Sequence, residues 1–190
     1  DPLAQTFLVL DKTKNDKDIS GYFLTSVDIY YFEKDDTYPT WVEIRNVING
    51  SPGPKILPFG RKLLQSDEVS LSNDGSVATT FTFDSPVYVK SQTEYCIVVR
   101  TDVPDYKVWI ADLGTQDADG NEITEQPHVG VLFKSANNRS WGASQTQDLK
   151  FTLKRASFDT SAAGLVTLQN QALETKILTK NPLEMTDDNT

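Results

Sequence analysis

Apolar and polar side chains alternate at every second position in short runs punctuated by Gly, Pro, Asn and Asp. This pattern leaves the chain little to fold into except antiparallel sheets, because a two-residue period places one face of a strand on a core and the other toward water. Between Gly21 and Phe32, the residues Phe23, Val27, Ile29 and Tyr31 are expected on one face, with Asp28 and Tyr30 on the other. From Trp41 to Val47 the alternation repeats, Val42 and Ile44 facing one way and Trp41, Glu43 and Arg45 the other. Asn49-Gly50 marks a tight turn, since both residues tolerate positive φ. Pro52, Pro54 and Pro58 cannot donate to a ladder, so Ser51 to Phe59 is expected to be an edge or irregular segment. Further strands are expected at Phe7–Leu10, Val77–Phe83, Val87–Val89, Tyr95–Arg100, Tyr106–Ala111, Val129–Phe133 and Leu149–Leu153.

Eight or nine short strands with no convincing amphipathic helix before residue 160 predict an all-β fold, an antiparallel two-sheet β-sandwich of jelly-roll-like form. Residues 1–160 are read as the sandwich domain. Residues 161–190 are read as an extension or linker, to a further domain or a neighbouring subunit. Within it Leu165, Leu168, Ala172, Leu173 and Ile177 make a weak helical stripe, while Val166-Thr167-Leu168 and Ile177-Leu178-Thr179 also read as short strands. The chain begins with Asp1-Pro2 and ends with Asp187-Asp188-Asn189-Thr190, the pattern expected of a processed chain or an excerpt from a longer one.

Composition bounds the chemistry. A formal charge of −9 without a basic stripe argues against a nucleic-acid groove, because phosphate binding rests on clustered Lys and Arg. The short basic groups Lys12 to Lys17 and Gly60-Arg61-Lys62 read as solvated faces. No apolar run reaches the roughly 20 residues of a spanning helix, so the chain is expected to be soluble, with no membrane insertion. One Cys, Cys96, excludes an internal disulfide and reads as a buried, inert thiol. The single histidine, His128, follows Pro127 and precedes an apolar run, where a surface residue at a strand start is expected. Without partners for a catalytic triad or a zinc site, no catalytic residue, metal or cofactor is assigned, and the chain is not expected to be an enzyme. A carboxylate-only glycosidase is the remaining catalytic class, and nothing in the sequence selects its acid pair. Asp117-Ala118-Asp119-Gly120-Asn121-Glu122 departs from calcium-loop spacing, Gly120 falling two positions early, and reads as an Asp-Gly turn. Asn138-Arg139-Ser140 matches a glycosylation acceptor by chance.

Among the three Trp, Trp41 and Trp109 lie in expected strands, whereas Trp141 sits in a polar segment with Asn137, Asn138 and Gln145. Those four residues are the expected surface contact, and an exposed indole there would suit a sugar ring. The end loops 113–127 and 135–148 are where surface function is expected.

Several phrases resemble a module of large tail or baseplate structural proteins of contractile-tailed bacteriophages. They are Asp1-Pro2-Leu3-Ala4-Gln5-Thr6-Phe7, Gly21-Tyr22-Phe23-Leu24-Thr25-Ser26-Val27-Asp28-Ile29, Val42-Glu43-Ile44-Arg45 with Asn49-Gly50, Thr80-Phe81-Thr82-Phe83 with Ser85-Pro86-Val87-Tyr88, Glu94-Tyr95, and Gln126-Pro127 leading to Gly130-Val131-Leu132-Phe133-Lys134-Ser135. The resemblance covers residues 1 to 158 and implies a virion structural module, working by rigid display and contacts with other virion proteins in a symmetric assembly. It carries no catalytic residue. The alternative is a carbohydrate- or receptor-binding module of a phage tail, with a host surface glycan as partner.

Overall fold

The computed structural model describes residues 1–10, 20–117, 120–126, 129–159, 161 and 163–169. It divides into two units, Asp1–Ser157 and Phe158–Thr190. The first is an all-β sandwich. Its strands are β1 (Leu3–Val9), β2 (Gly21–Ile29), β3 (Tyr31–Glu33), β4 (Thr40–Ile48), β5 (Ser51–Leu64), β6 (Thr79–Lys90), β7 (Thr93–Thr101), β8 (Lys107–Val108), β9 (Ile110–Asp112), β10 (Leu132–Lys134), β11 (Gly142–Ser144), β12 (Gln147–Leu149) and β13 (Phe151–Arg155). Among the described residues one 3₁₀ turn is present, at Ser66–Glu68.

One layer is a six-stranded antiparallel sheet in the order β11-β10-β1-β7-β4-β5. The other is built on β13-β2-β6 and continues through two short ladders, β3-β8 and β12-β9. Trp109 joins those ladders: its N–H donates to Tyr30 O, and its own carbonyl accepts the Lys150 N–H. β5 also runs close to β6, where Lys62 Nζ lies 2.7 Å from Asp84 Oδ1.

Alternation builds the core between the layers. Phe7, Val42, Ile44, Ile97 and Leu132 from the larger sheet pack with Leu24, Val27, Ile29, Phe81 and Val87 from the smaller. Each such side chain contributes on the order of 1.5–3 kcal/mol when fully buried, which makes this cluster the main source of cohesion. One polar group crosses it. Gln5 is fully buried on β1, donates from Nε2 to Asp148 Oδ1 at 2.9 Å and accepts the Leu149 N–H at 2.9 Å, so both amide atoms are used.

Several expectations are modified by local geometry. Phe23 is exposed, stacking against Tyr88 on the outer face and not sharing a face with Val27. The register of β2 against β6 shifts between Leu24 and Ser26, and this bulge reverses which parity faces the core. Val77–Phe83 and Val87–Val89 merge into the continuous β6, in which Ser85 and Pro86 are accommodated. Ser51–Phe59 is indeed part of an edge strand, with register shifts against β4. Asn49 and Gly50 both take positive φ in the β4–β5 turn. At Gly130 a Cβ would meet Thr6 O at 2.1 Å, so only glycine lets the chain approach β1 closely enough for Thr6 N–H to reach Val131 O.

The segment read as a long loop, 113–127, closes on itself where it is described. Gly114 N–H donates to Ile123 O, Ile123 N–H to Thr115 O, and Asp117 N–H to Asn121 O. Lys12 to Lys17 and His128 lie outside the described residues, as do Ala118, Asp119 and most of the C-terminal extension. In the second unit, residues 163–169 carry neither helix nor strand.

Candidate interaction surface

Register decides which side chains share the outer face of the six-stranded sheet. One row runs across the strands as Arg61 (β5), Glu43 (β4), Val98 (β7), Ala4 (β1), Phe133 (β10) and Ala143 (β11). Neighbouring rows place Leu63, Trp41 and Arg100 side by side, and Arg45, Cys96 and Thr6. The β4 phrase Trp41-Val42-Glu43-Ile44-Arg45 thus projects an indole, a carboxylate and a guanidinium together on this face.

This face is not a solvated one. Glu43 is 1% exposed and Arg45 3%. Arg45 grips Glu43 Oε2 with Nε, at 2.7 Å, and with Nη2, while Trp41 Nε1 donates to Oε1 at 3.0 Å. Both carboxylate oxygens therefore have a donor, the condition under which a buried charge is tolerated. Two further guanidiniums surround the pair at longer range: Arg100 Nη1 is 3.5 Å and Arg61 Nε 3.9 Å from Glu43 Oε1. Each also lies over the Trp41 ring, at 5.0 Å for Arg100 and 5.3 Å for Arg61, within cation–π range.

Toward β10 the same face turns apolar. Ala4, Cys96, Val98 and Phe133 form a second buried cluster, against which Val47, Val131 and Trp141 pack. Burial pushes the Cys96 thiol up to about 12, ahead of the opposing pull of the Arg45 guanidinium, so the sulfur is a neutral packing group at pH 7.

The four residues singled out from sequence divide here. Trp141 is half-buried, with part of its surface spent on that second cluster. Asn137 organises its own turn: Oδ1 accepts the N–H groups of Arg139 at 2.9 Å and Ser140 at 2.7 Å. Asn138 adopts positive φ in that turn. Gln145 lies at the opposite end of β11, where its carbonyl accepts from Gln126 Nε2 at 2.7 Å. The structure brings Asn137, Asn138 and Trp141 into one turn and leaves Gln145 a strand away. What sequence reasoning did not assemble is the Trp41, Glu43, Arg45, Arg61 and Arg100 group. Its signal was the Trp-x-Glu-x-Arg spacing on a single strand; the other two arginines arrive only through pairing.

A cavity of about 420 Å³ opens between the layers at the end bordered by Leu3, Tyr31, Val99, Val108, Ile110 and Leu132. Its hydroxyls are engaged with one another: Tyr31 Oη is 3.0 Å from Thr40 Oγ1, which donates to Arg100 O at 3.0 Å. Burial raises the Tyr31 phenol pKa, against the opposing effect of the Thr40 hydrogen bond. Asp1, Arg100, Lys107 and Lys134 also border it, so the cavity combines an apolar lining with charged groups. Among the described residues no group of three or more His, Cys, Asp or Glu is arranged to hold a metal ion, and no helix is long and apolar enough to cross a membrane. No family model, curated protein or solved structure matches the chain.

Proposed function

We propose that this chain is a non-catalytic interaction module of a larger assembly, in the manner of the phage tail or baseplate proteins its sequence resembles. The supporting observation is the outer face of the six-stranded sheet around Trp41. Trp and Arg are concentrated at the energetic centres of protein interfaces because they combine large contact area with directional hydrogen bonds. Here Trp41 is itself buried and serves as the platform: Arg61 and Arg100 are held against its ring and, with Leu63, 37% exposed, present the surface a partner would touch. A rigid two-layer sandwich displays such a group without a folding cost on binding.

β5 suits side-chain contact better than strand addition. Its Pro52, Pro54 and Pro58 remove donors from the edge, which discourages pairing with a foreign strand. A glycan platform at Trp141 has less support, since part of the indole surface is committed to the sheet.

Immunogold labelling of particles produced from the genome that encodes the chain tests the reading. Label on the tail or baseplate is the expected result. Particles free of the protein, with the chain recovered only as an unassociated monomer, would overturn it.

A further inference from the structure

Charge counting on the outer face leaves a remainder. Three guanidiniums, Arg45, Arg61 and Arg100, surround one carboxylate, Glu43. Arg45 donates twice to Oε2 and Trp41 once to Oε1, so each Glu43 oxygen has a donor before the other two arginines are considered, and one negative charge faces three positive ones. At 3.5 and 3.9 Å, Arg100 and Arg61 lie beyond good hydrogen-bond distance from it. No other carboxylate among the described residues comes within ion-pair distance of either. Arg100 Nε is buried with no hydrogen-bond partner among the described residues. Asp102, the nearest acid in sequence, lies two residues beyond Arg100, just past the end of β7, where it is exposed and makes no ion pair with Arg100. Two positive charges are therefore left over on a chain whose formal charge is −9.

Both surplus groups are held and both reach water. The Arg61 side chain is 54% exposed and that of Arg100 25%. They approach Trp41 from neighbouring strands, β5 and β7, and stacking on the indole restricts the rotamers an arginine would otherwise lose on binding. A planar fork of donors fixed in this way matches a carboxylate.

We infer that Arg61 and Arg100, stacked on Trp41, form a receptor for a carboxylate of an acidic segment of a partner protein. Charge complementarity selects the partner: where the two cations outnumber the acid beside them, a carboxylate is the group that matches them at contact distance. The inference rests on the reading of the chain as an interaction module and names the chemistry of its contact.

The 190-residue chain titrated with hexaglutamate, with hexaglutamine as the neutral control, tests this, read by tryptophan fluorescence and by nuclear magnetic resonance shifts. Saturable hexaglutamate binding that weakens with added salt is expected. Arg61→Gln and Arg100→Gln should each weaken it about tenfold or more, while Lys90→Gln on the smaller sheet should leave it unchanged. Arg61→Lys, which keeps the charge but loses the planar fork, should fall between wild type and Arg61→Gln. The exposure of Arg61 keeps that variant folded, and an unchanged thermal midpoint confirms it, so Arg61→Gln decides the matter if Arg100→Gln does not fold. Absence of saturable binding, binding indifferent to both arginines, or preference for dextran sulfate over the peptide would overturn the inference. Tail labelling without peptide binding would remove this receptor and leave the assembly reading standing. Peptide binding by a chain absent from particles would do the reverse.

Discussion

The outer faces of the two sheets carry opposite solutions to the same problem. On the smaller sheet, β6 alternates between buried and exposed residues except at the half-buried Ser85, and its outward positions hold Thr80, Thr82, Asp84, Pro86, Tyr88 and Lys90. These positions are open to solvent, and the buried acid there, Asp28, accepts from Thr80 Oγ1 at 2.6 Å and from Lys154 Nζ at 2.9 Å. On the larger sheet the outward positions of β4 are as buried as the inward ones. An ion pair, an indole and a thiol fill that face, and the buried Glu43 and Arg45 charges are answered within the protein. The difference teaches that alternation alone does not distinguish a wet face from a covered one: the same period-2 code serves both.

The largest effect should come from breaking the covered face at its charge. Glu43→Ala strands Arg45 without a counter-ion and should cost about 3–5 kcal/mol in urea unfolding, the usual loss when one member of a buried pair is removed. Next, Trp141→Ala removes a half-buried ring from the apolar end of that face and should cost about 2 kcal/mol, below the 3–5 kcal/mol of a fully buried aromatic. A stability equal to wild type would instead make Trp141 a free surface group. On the smaller sheet, Asp28→Asn weakens hydrogen bonds to a partly exposed lysine and a threonine, and about 1 kcal/mol is expected. Thr82→Ala, on the wet face, should stay within about 0.5 kcal/mol; a larger loss would erase the contrast between the faces.

Alkaline pH sharpens the same contrast. The folded Cys96 thiol titrates at about 12 against 9.0 for an unperturbed one, so the folded state holds the proton longer than the unfolded state. Its contribution is complete below about pH 9 and is lost as pH rises toward about 12. Urea midpoints should fall over that interval, and Cys96→Ala should flatten the decline. At neutral pH a thiol reagent should react only as fast as the protein unfolds.

Much of the fold was legible because strand signals are local. The alternation of β4, the Asn49-Gly50 turn and the prolines of β5 each specify their own conformation, whereas the strand order β11-β10-β1-β7-β4-β5 pairs strands far apart in sequence. Phe23 was misplaced because a bulge is a two-strand event: it exists only when Leu24 and Ser26 meet the staggered partners Val87 and Thr82. The strand β11, Gly142–Ser144, lay hidden in a polar stretch, since its ladder to β10 supplies what its side chains do not. The candidate surface was half legible. Glu43 and Arg45 are two residues apart on one strand, but Arg61 and Arg100 join them from strands 18 and 57 positions beyond Glu43.

The all-β class, most strand positions and the absence of a basic stripe follow from the order of residues alone, because period, turn chemistry and composition act over a few residues. That the polar face of β4 is buried, that Trp141 lies on the sheet and that the arginines outnumber the acid they surround depends on how distant strands pair. Those are outcomes of register between strands distant in sequence, and register is set by the whole sheet at once.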